Sequence, residues 1–180
     1  MPDVDERLTW VGHATVLLEI GGVRLLTDPL LRMRLGHLRR HGAPPRPAVT
    51  QDIDAVLVSH VHLDHLDVRS LRSVGRGARA IAPRGAGRLL QRIGFAEIEE
   101  VEPGESIVVG GATVTALPAV HTARRRPLAA PVATLGYDIA GAQRVYFAGD
   151  TELFEDMRGL AGRFDVALLP VWGWGPSLGP

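Results

Sequence analysis

An α/β domain is the fold class this sequence predicts, and three observations predict it. The 180 residues are 46% hydrophobic, enough to bury one sizeable core, so a single domain over residues 1–180 is expected. Strand, helix and strand patterns succeed one another through the middle of the chain. Short apolar runs with glycine-rich turns between them follow, as a second sheet requires.

Leu8 to Val11, Ala14 to Ile20 and Val23 to Thr27 read as strands, the last two joined by Gly21-Gly22, a pair suited to a tight hairpin turn. Leu30 to Thr50 has neither a strand nor a helix period. Its Pro44, Pro45 and Pro47 exclude a long helix, and its Arg32, Arg34, Arg39, Arg40 and Arg46 suit either a flap that attracts an anionic substrate or a solvated basic loop. Ala55 to Val58 is a buried strand. Asp67 can cap a helix through Val74, with Gly75 beyond its end. Ala78 to Ala82 reads as a strand, and Arg84 to Ile93 as a helix stopped by Gly94. Glu97 to Val101, Ser106 to Val109 and Ala112 to Leu117 are further strands. Val132 to Ile139 and Arg144 to Phe147 form a hairpin turning at Ala140-Gly141-Ala142. A helix from Glu152 to Leu160, capped by Asp150 or, if that residue is a ligand, by Thr151, and a strand from Phe164 to Pro170 complete the pattern.

The chemistry concentrates in Ser59-His60-Val61-His62-Leu63-Asp64-His65, directly after the buried strand. Residues two apart in an extended segment point the same way, so His60, His62 and Asp64 can converge while His65 approaches from the following turn. Imidazole and carboxylate without thiolate suit zinc and its borderline neighbours. One ion could hardly use all four groups, whereas two ions could share them.

His60-x-His62-x-Asp64-His65 after a buried strand resembles the signature of the metallo-β-lactamase fold superfamily. The segments Trp10-Val11-Gly12-His13-Ala14-Thr15, Thr27-Asp28-Pro29 and Phe147-Ala148-Gly149-Asp150-Thr151 resemble its branch holding ascorbate-6-phosphate lactonase and N-acylphosphatidylethanolamine-hydrolysing phospholipase D. The resemblance implies a four-layer αββα sandwich with two ions, zinc being expected and manganese or iron(II) the alternatives. It assigns His60, His62 and His121 to the first ion, Asp64 and His65 to the second, and Asp150 to both, because a shared carboxylate lowers the repulsion between cations. Asp28 would hold the site loop, and His13 would stand at its mouth as a substrate contact. On this reading a hydroxide between the ions attacks a lactone, phosphodiester or related ester or amide, and Asp64 is a catalytic residue that orients it. Diiron electron-transfer relatives carry Glu where this chain has His62, which argues for hydrolysis over redox chemistry.

Relatives of this kind continue into a helix, a strand and a last histidine ligand. No histidine follows His121 in these 180 residues. The expectation is therefore a C-terminally incomplete sandwich with a weak second metal position, and a homo-oligomer that covers apolar groups near Val166 to Val171 unless Trp172 and Trp174 fold over them. The rival expectation is a catalytically impaired metal-binding or interaction protein produced by such a truncation.

Composition bounds the partners. Lys plus Arg number 20 and Asp plus Glu number 20, so nothing electrostatic argues for nucleic acid or an anionic membrane, and a small-molecule substrate is favoured. The basic run Arg124-Arg125-Arg126 beside His121 suits either an anionic substrate group or solvent. There is no cysteine for disulfides or thiolate ligation. The charged opening Met1 to Arg7 has no apolar h-region, and no apolar run approaches the ~20 residues of a membrane span, so the cytoplasm is the expected location.

Overall fold

The computed structural model describes residues 6–36, 38–75, 77–122, 125 and 130–171. His37, Arg124, Arg126, Trp172 and Trp174 lie outside them. In chain order the strands are β1 (Arg7–Gly12), β2 (Thr15–Ile20), β3 (Val23–Thr27), β4 (Arg34–Leu35), β5 (Leu38–Arg39) and β6 (Ala55–Leu57). Helix α1 (Val68–Val74), β7 (Arg79–Pro83), α2 (Gly87–Ile93), β8 (Ile98–Val101), β9 (Ser106–Val109) and β10 (Ala112–Pro118) follow. Then come β11 (Leu135–Ala140), β12 (Arg144–Phe147), a 3₁₀ helix at Glu155–Leu160 and β13 (Val166–Leu168).

The first sheet has the order β1-β2-β3-β6-β7-β8, antiparallel through its first three strands and parallel from β3 onward. The second has the order β13-β12-β11-β10-β9 and is antiparallel except for its β12–β13 pair. Strand periodicity explains why they stack. Leu18, Ile20, Leu25, Leu57 and Ile81 face inward from the first sheet and meet Val114, Ala116, Leu135, Tyr137, Ile139 and Phe147 from the second. The opposite face of the first sheet, with Leu17, Leu26, Val56, Val58 and Ala80, packs against Leu71 and Val74 of α1 and Leu90 and Ile93 of α2. A smaller cluster of Leu117, Tyr146 and Ala148 is covered by Met157 and Leu160 of the 3₁₀ helix and by Phe164. The result is a layered α, β, β sandwich with a thin 3₁₀ cover on its far side. No helix among the described residues is long and apolar enough to cross a membrane.

Local chemistry sets the element ends. Gly21 and Gly22 both take positive φ, 58° and 74°, as the tight hairpin requires. Asp67 accepts hydrogen bonds from Ser70 N and Oγ and caps α1 as expected.

The strand expected over Phe164 to Pro170 shortens to Val166–Leu168, the irregular Leu30 to Thr50 stretch holds β4 and β5, and three further elements differ for reasons the hydrogen bonds show. Helix α2 starts at Gly87 instead of Arg84, because Gly85 sits at φ 100° and its N–H, with that of Gly87, donates to Glu100 Oε1. Thr151 does not cap a helix beginning at Glu152. Its hydroxyl accepts from Val120 N and donates to Glu152 O, while Glu152 N donates to Val120 O, so these residues are tied to the His121 loop and only 3₁₀ turns follow. Residues 132–134 are likewise diverted from β11, since Thr134 Oγ1 donates to His121 O and Leu135 N to Ser59 O.

Candidate metal centre

Every loop that carries a candidate ligand leaves the sandwich at one edge. Strand β3 runs parallel to β6, so Asp28 and the 58–65 loop emerge together, and the β1–β2 turn carrying His13 lies beside them because β2 pairs with β3. Strands β10 and β12 share a direction, each being antiparallel to β11, and deliver His121 and Asp150 to the same edge.

The extended run ends at His62, whose carbonyl accepts from Leu66 N at 2.9 Å and closes a turn. His60 and His62 therefore point together, but Asp64 is carried away from them in the turn, which corrects the expected three-residue convergence. His60 Nε2 lies 2.9 Å from His62 Nδ1, and His121 Nε2 lies 3.3 Å from that same Nδ1. Asp64 and His65 form a second group with His13. Here His13 Nε2 is 3.1 Å and His65 Nε2 3.7 Å from Asp64 Oδ2, and Asp150 Oδ2 is 3.2 Å from His65 Nε2.

Hydrogen bonds fix the tautomers. Asp28, fully buried, accepts from Ser59 N at 2.7 Å, from Ser59 Oγ at 2.5 Å and from His65 Nδ1 at 2.7 Å. Ser59 has one hydroxyl proton and spends it on the carboxylate, so its oxygen accepts from His60 Nδ1 at 2.9 Å. Nε2 of His60 and Nε2 of His65 are thereby turned toward the ligand groups, the first as a lone pair and the second carrying a proton that a bound cation would displace. Asp28 itself is held at φ 31°, a left-handed conformation that its backbone N–H bond to Leu57 O helps maintain.

This arrangement fits divalent cations. Neutral imidazole nitrogens at 2.9 and 3.3 Å cannot all be satisfied by one another, and two nitrogens on one tetrahedral zinc stand about 3.3 Å apart. His65 Nε2 is a buried atom with no hydrogen-bond partner although two carboxylates surround it. Burial, then the neighbouring His65 charge, pushes His60 down to about 2, so it stays a neutral donor. For His65, burial acts downward but Asp28 and Asp150 overcome it and raise the imidazole to about 10, a sign that this pocket demands positive charge. Burial pushes Asp150 up, yet the His65 imidazole 3.2 Å away prevails and holds it at about 2. Asp64 is likewise held well below the usual carboxylate range, burial being outweighed by His13 and His65.

Two features were not apparent from the sequence. Arginines expected to be flap or solvent residues act as internal clamps: Arg40 donates to Val11 O and Leu30 O, and Arg125 donates to the carbonyls of Val61, His62 and Leu66 in the ligand loop. Gly149 is the second. It takes φ 61°, and a Cβ there would stand 2.7 Å from Ser59 Cβ. Gly149→Ala is therefore expected to cost about 1–3 kcal/mol and to shift Asp150, read as a lower unfolding midpoint together with reduced bound metal.

A family model described as the beta-lactamase superfamily domain matches residues 23–179. The chain belongs to the beta-lactamase superfamily. Among curated relatives of this superfamily chain, an uncharacterized protein of Mycobacterium tuberculosis is 35% identical over 182 residues, covering 91% of this chain and 48% of the relative. A metal-dependent hydrolase of Methanopyrus kandleri is 34% identical over 171 residues, covering 92% and 71%. The N-acyl-phosphatidylethanolamine-hydrolyzing phospholipase D 1 of Caenorhabditis elegans is 31% identical over 196 residues, covering 93% and 54%. The chain thus spans about half the length of the first of these relatives. Among solved structures, CmlA, a diiron beta-hydroxylase from Streptomyces venezuelae, superposes with a TM-score of 0.70 at 28% identity, over 92% of this chain and 34% of CmlA. The metallo-beta-lactamase fold protein YhfI from Bacillus subtilis superposes at 0.60 and 16% identity, over 93% and 65%, a likeness of fold alone. The superfamily expected from the His60 to His65 segment and its stacked-sheet α/β class are those found, with a 3₁₀ helix among the described residues where the fourth layer would lie.

Proposed function

We propose that this superfamily member is a metal-dependent hydrolase, with His60, His62 and His121 holding a first ion, Asp64 and His65 a second, and Asp150 reaching both. The observation that carries the proposal is the buried His65 Nε2, which has no hydrogen-bond partner, is oriented by the Asp28 contact at its other ring nitrogen and is set between two carboxylates. When bound, divalent cations supply Lewis acidity toward the substrate oxygen and make water acidic enough to attack near neutral pH. Asp64, kept ionised, is placed to accept a hydrogen bond from the attacking water and orient it. Asp28 and Ser59 keep His60 and His65 in their donor tautomers throughout.

Hydrolysis is preferred to redox chemistry because relatives 34% and 31% identical are named as a metal-dependent hydrolase and a phospholipase. The relative named as a phospholipase supports a phosphodiester substrate, and a lactone or related ester or amide fits the same carboxylate and imidazole set. Zinc suits these donors, while the diiron neighbour makes iron, and then manganese, the competitors to load. The test is to strip the purified chain with chelator, reload it with zinc, manganese or iron(II), and assay lactone and phosphodiester panels. Turnover that disappears with the metal and returns with one of the three is the expected result. Metal uptake without turnover on any panel would favour the non-catalytic metal-binding reading.

A further inference from the structure

We infer that His13 is a metal ligand, the fourth protein donor of the second position beside Asp64, His65 and Asp150, instead of a substrate contact at the mouth. The inference rests on the dinuclear reading above and adds to it a residue from a separate part of the chain. The donor atoms of His13, Asp64 and His65 all lie within 4.8 Å of one another, and His13 Nε2 is 3.1 Å from Asp64 Oδ2. The atom they surround on the inner side, His65 Nε2, is wholly buried and lacks a hydrogen-bond partner, its other ring nitrogen being taken by Asp28. A cluster of donor groups with a buried ring nitrogen of unsatisfied bonding aimed into it is the arrangement a cation would complete.

The backbone supports the same conclusion. His13 occupies φ 55°, a left-handed conformation uncommon for residues other than glycine, and the β1–β2 register shifts between Trp10 and Gly12 to accommodate it. The turn is locked in that shape: Trp10 Nε1 donates to His13 O at 2.9 Å, and the Arg40 guanidinium lies over Gly12, where a Cβ would collide with it. These constraints turn the imidazole over the second position. Its ring centroid stands 4.9 Å from that of His65, edge to face, close enough for both rings to offer nitrogen to one ion. The side chain is 37% exposed, so this donor closes the outer side of the position, while His65 closes the inner.

The experiment is a titration of the metal-stripped full chain with zinc, followed by cobalt(II) absorption spectra, for wild type, His13→Ala and His13→Asn. Asparagine tolerates the left-handed backbone and can still donate a hydrogen bond to Asp64, but it replaces imidazole ligation. Wild type should bind two equivalents. Both variants should keep the first equivalent, weaken the second by more than about tenfold and lose the second cobalt band set. Two equivalents of unchanged affinity in both variants would overturn the inference while leaving the dinuclear reading intact. So would full recovery in His13→Asn alone, since His13 would then act only by holding Asp64. A wild type that binds one equivalent removes the second position and this inference with it, and one that binds none overturns the metal-centre reading as well.

Discussion

His62→Ala is expected to strip the first metal position. His62 Nδ1 is the middle donor of its group, 2.9 Å from His60 Nε2 and 3.3 Å from His121 Nε2, so its removal leaves two imidazoles that no longer close around an ion. Affinity should fall by more than the 10–100-fold that follows loss of a residue supporting a ligand. Stability of the metal-free chain should change little. His62 is only partly buried and carries no hydrogen bond that holds two strands together, so its truncation belongs among surface changes worth about 0.5 kcal/mol or less. The measurement is elemental analysis after dialysis against a zinc buffer, with chemical unfolding of the metal-free protein as control. Unchanged stoichiometry would remove His62 from the site.

How much of this centre was legible beforehand depended on whether a signal was local. His60, His62, Asp64 and His65 stand within one loop, and the strand before them reads as buried from Ala55 to Val58 alone. His121 and Asp150 lie far along the chain, and only the family resemblance selected them from other polar loop residues. The resemblance set His13 at the mouth of the site, but its contact with Asp64 was beyond either route, because that contact exists only once β2 pairs with β3 and β3 with β6. Arginine roles were hidden for a different reason. A charge run in a sequence reads as solvated, yet a guanidinium carries five donors and can be spent on loop carbonyls, as Arg40 and Arg125 are. Helix ends failed where hydrogen bonds to distant partners outcompeted helix formation. Glu100 takes the amides of Gly85 and Gly87 at the start of α2, and Val120 takes the Glu152 amide that would have opened a helix.

Asp28 is where fold and site are joined, and its replacement is expected to damage both by separable amounts. The side chain is fully buried and accepts from Ser59 N, Ser59 Oγ and His65 Nδ1. Asp28→Ala abandons three buried donors in a place too tight for easy repair, and removing one member of a buried charged network typically costs about 3–5 kcal/mol. Asp28→Asn separates the two consequences. Asparagine keeps the shape, tolerates the φ of 31° and can still accept from Ser59 N, so the fold should lose only about 1–3 kcal/mol. Its amide cannot accept on both sides, however, so His65 loses the partner that holds its proton on Nδ1. The proton then favours Nε2, the atom between Asp64 and Asp150 that must be free to bind metal. Metal at the second position should weaken by about 10–100-fold in a variant that remains folded. Nitrogen NMR of the His65 ring would report the tautomer directly, alongside zinc titration and unfolding in denaturant. An Asp28→Asn protein that keeps both equivalents, with His65 still protonated on Nδ1, would show that another group sets this imidazole and that Asp28 serves the fold alone.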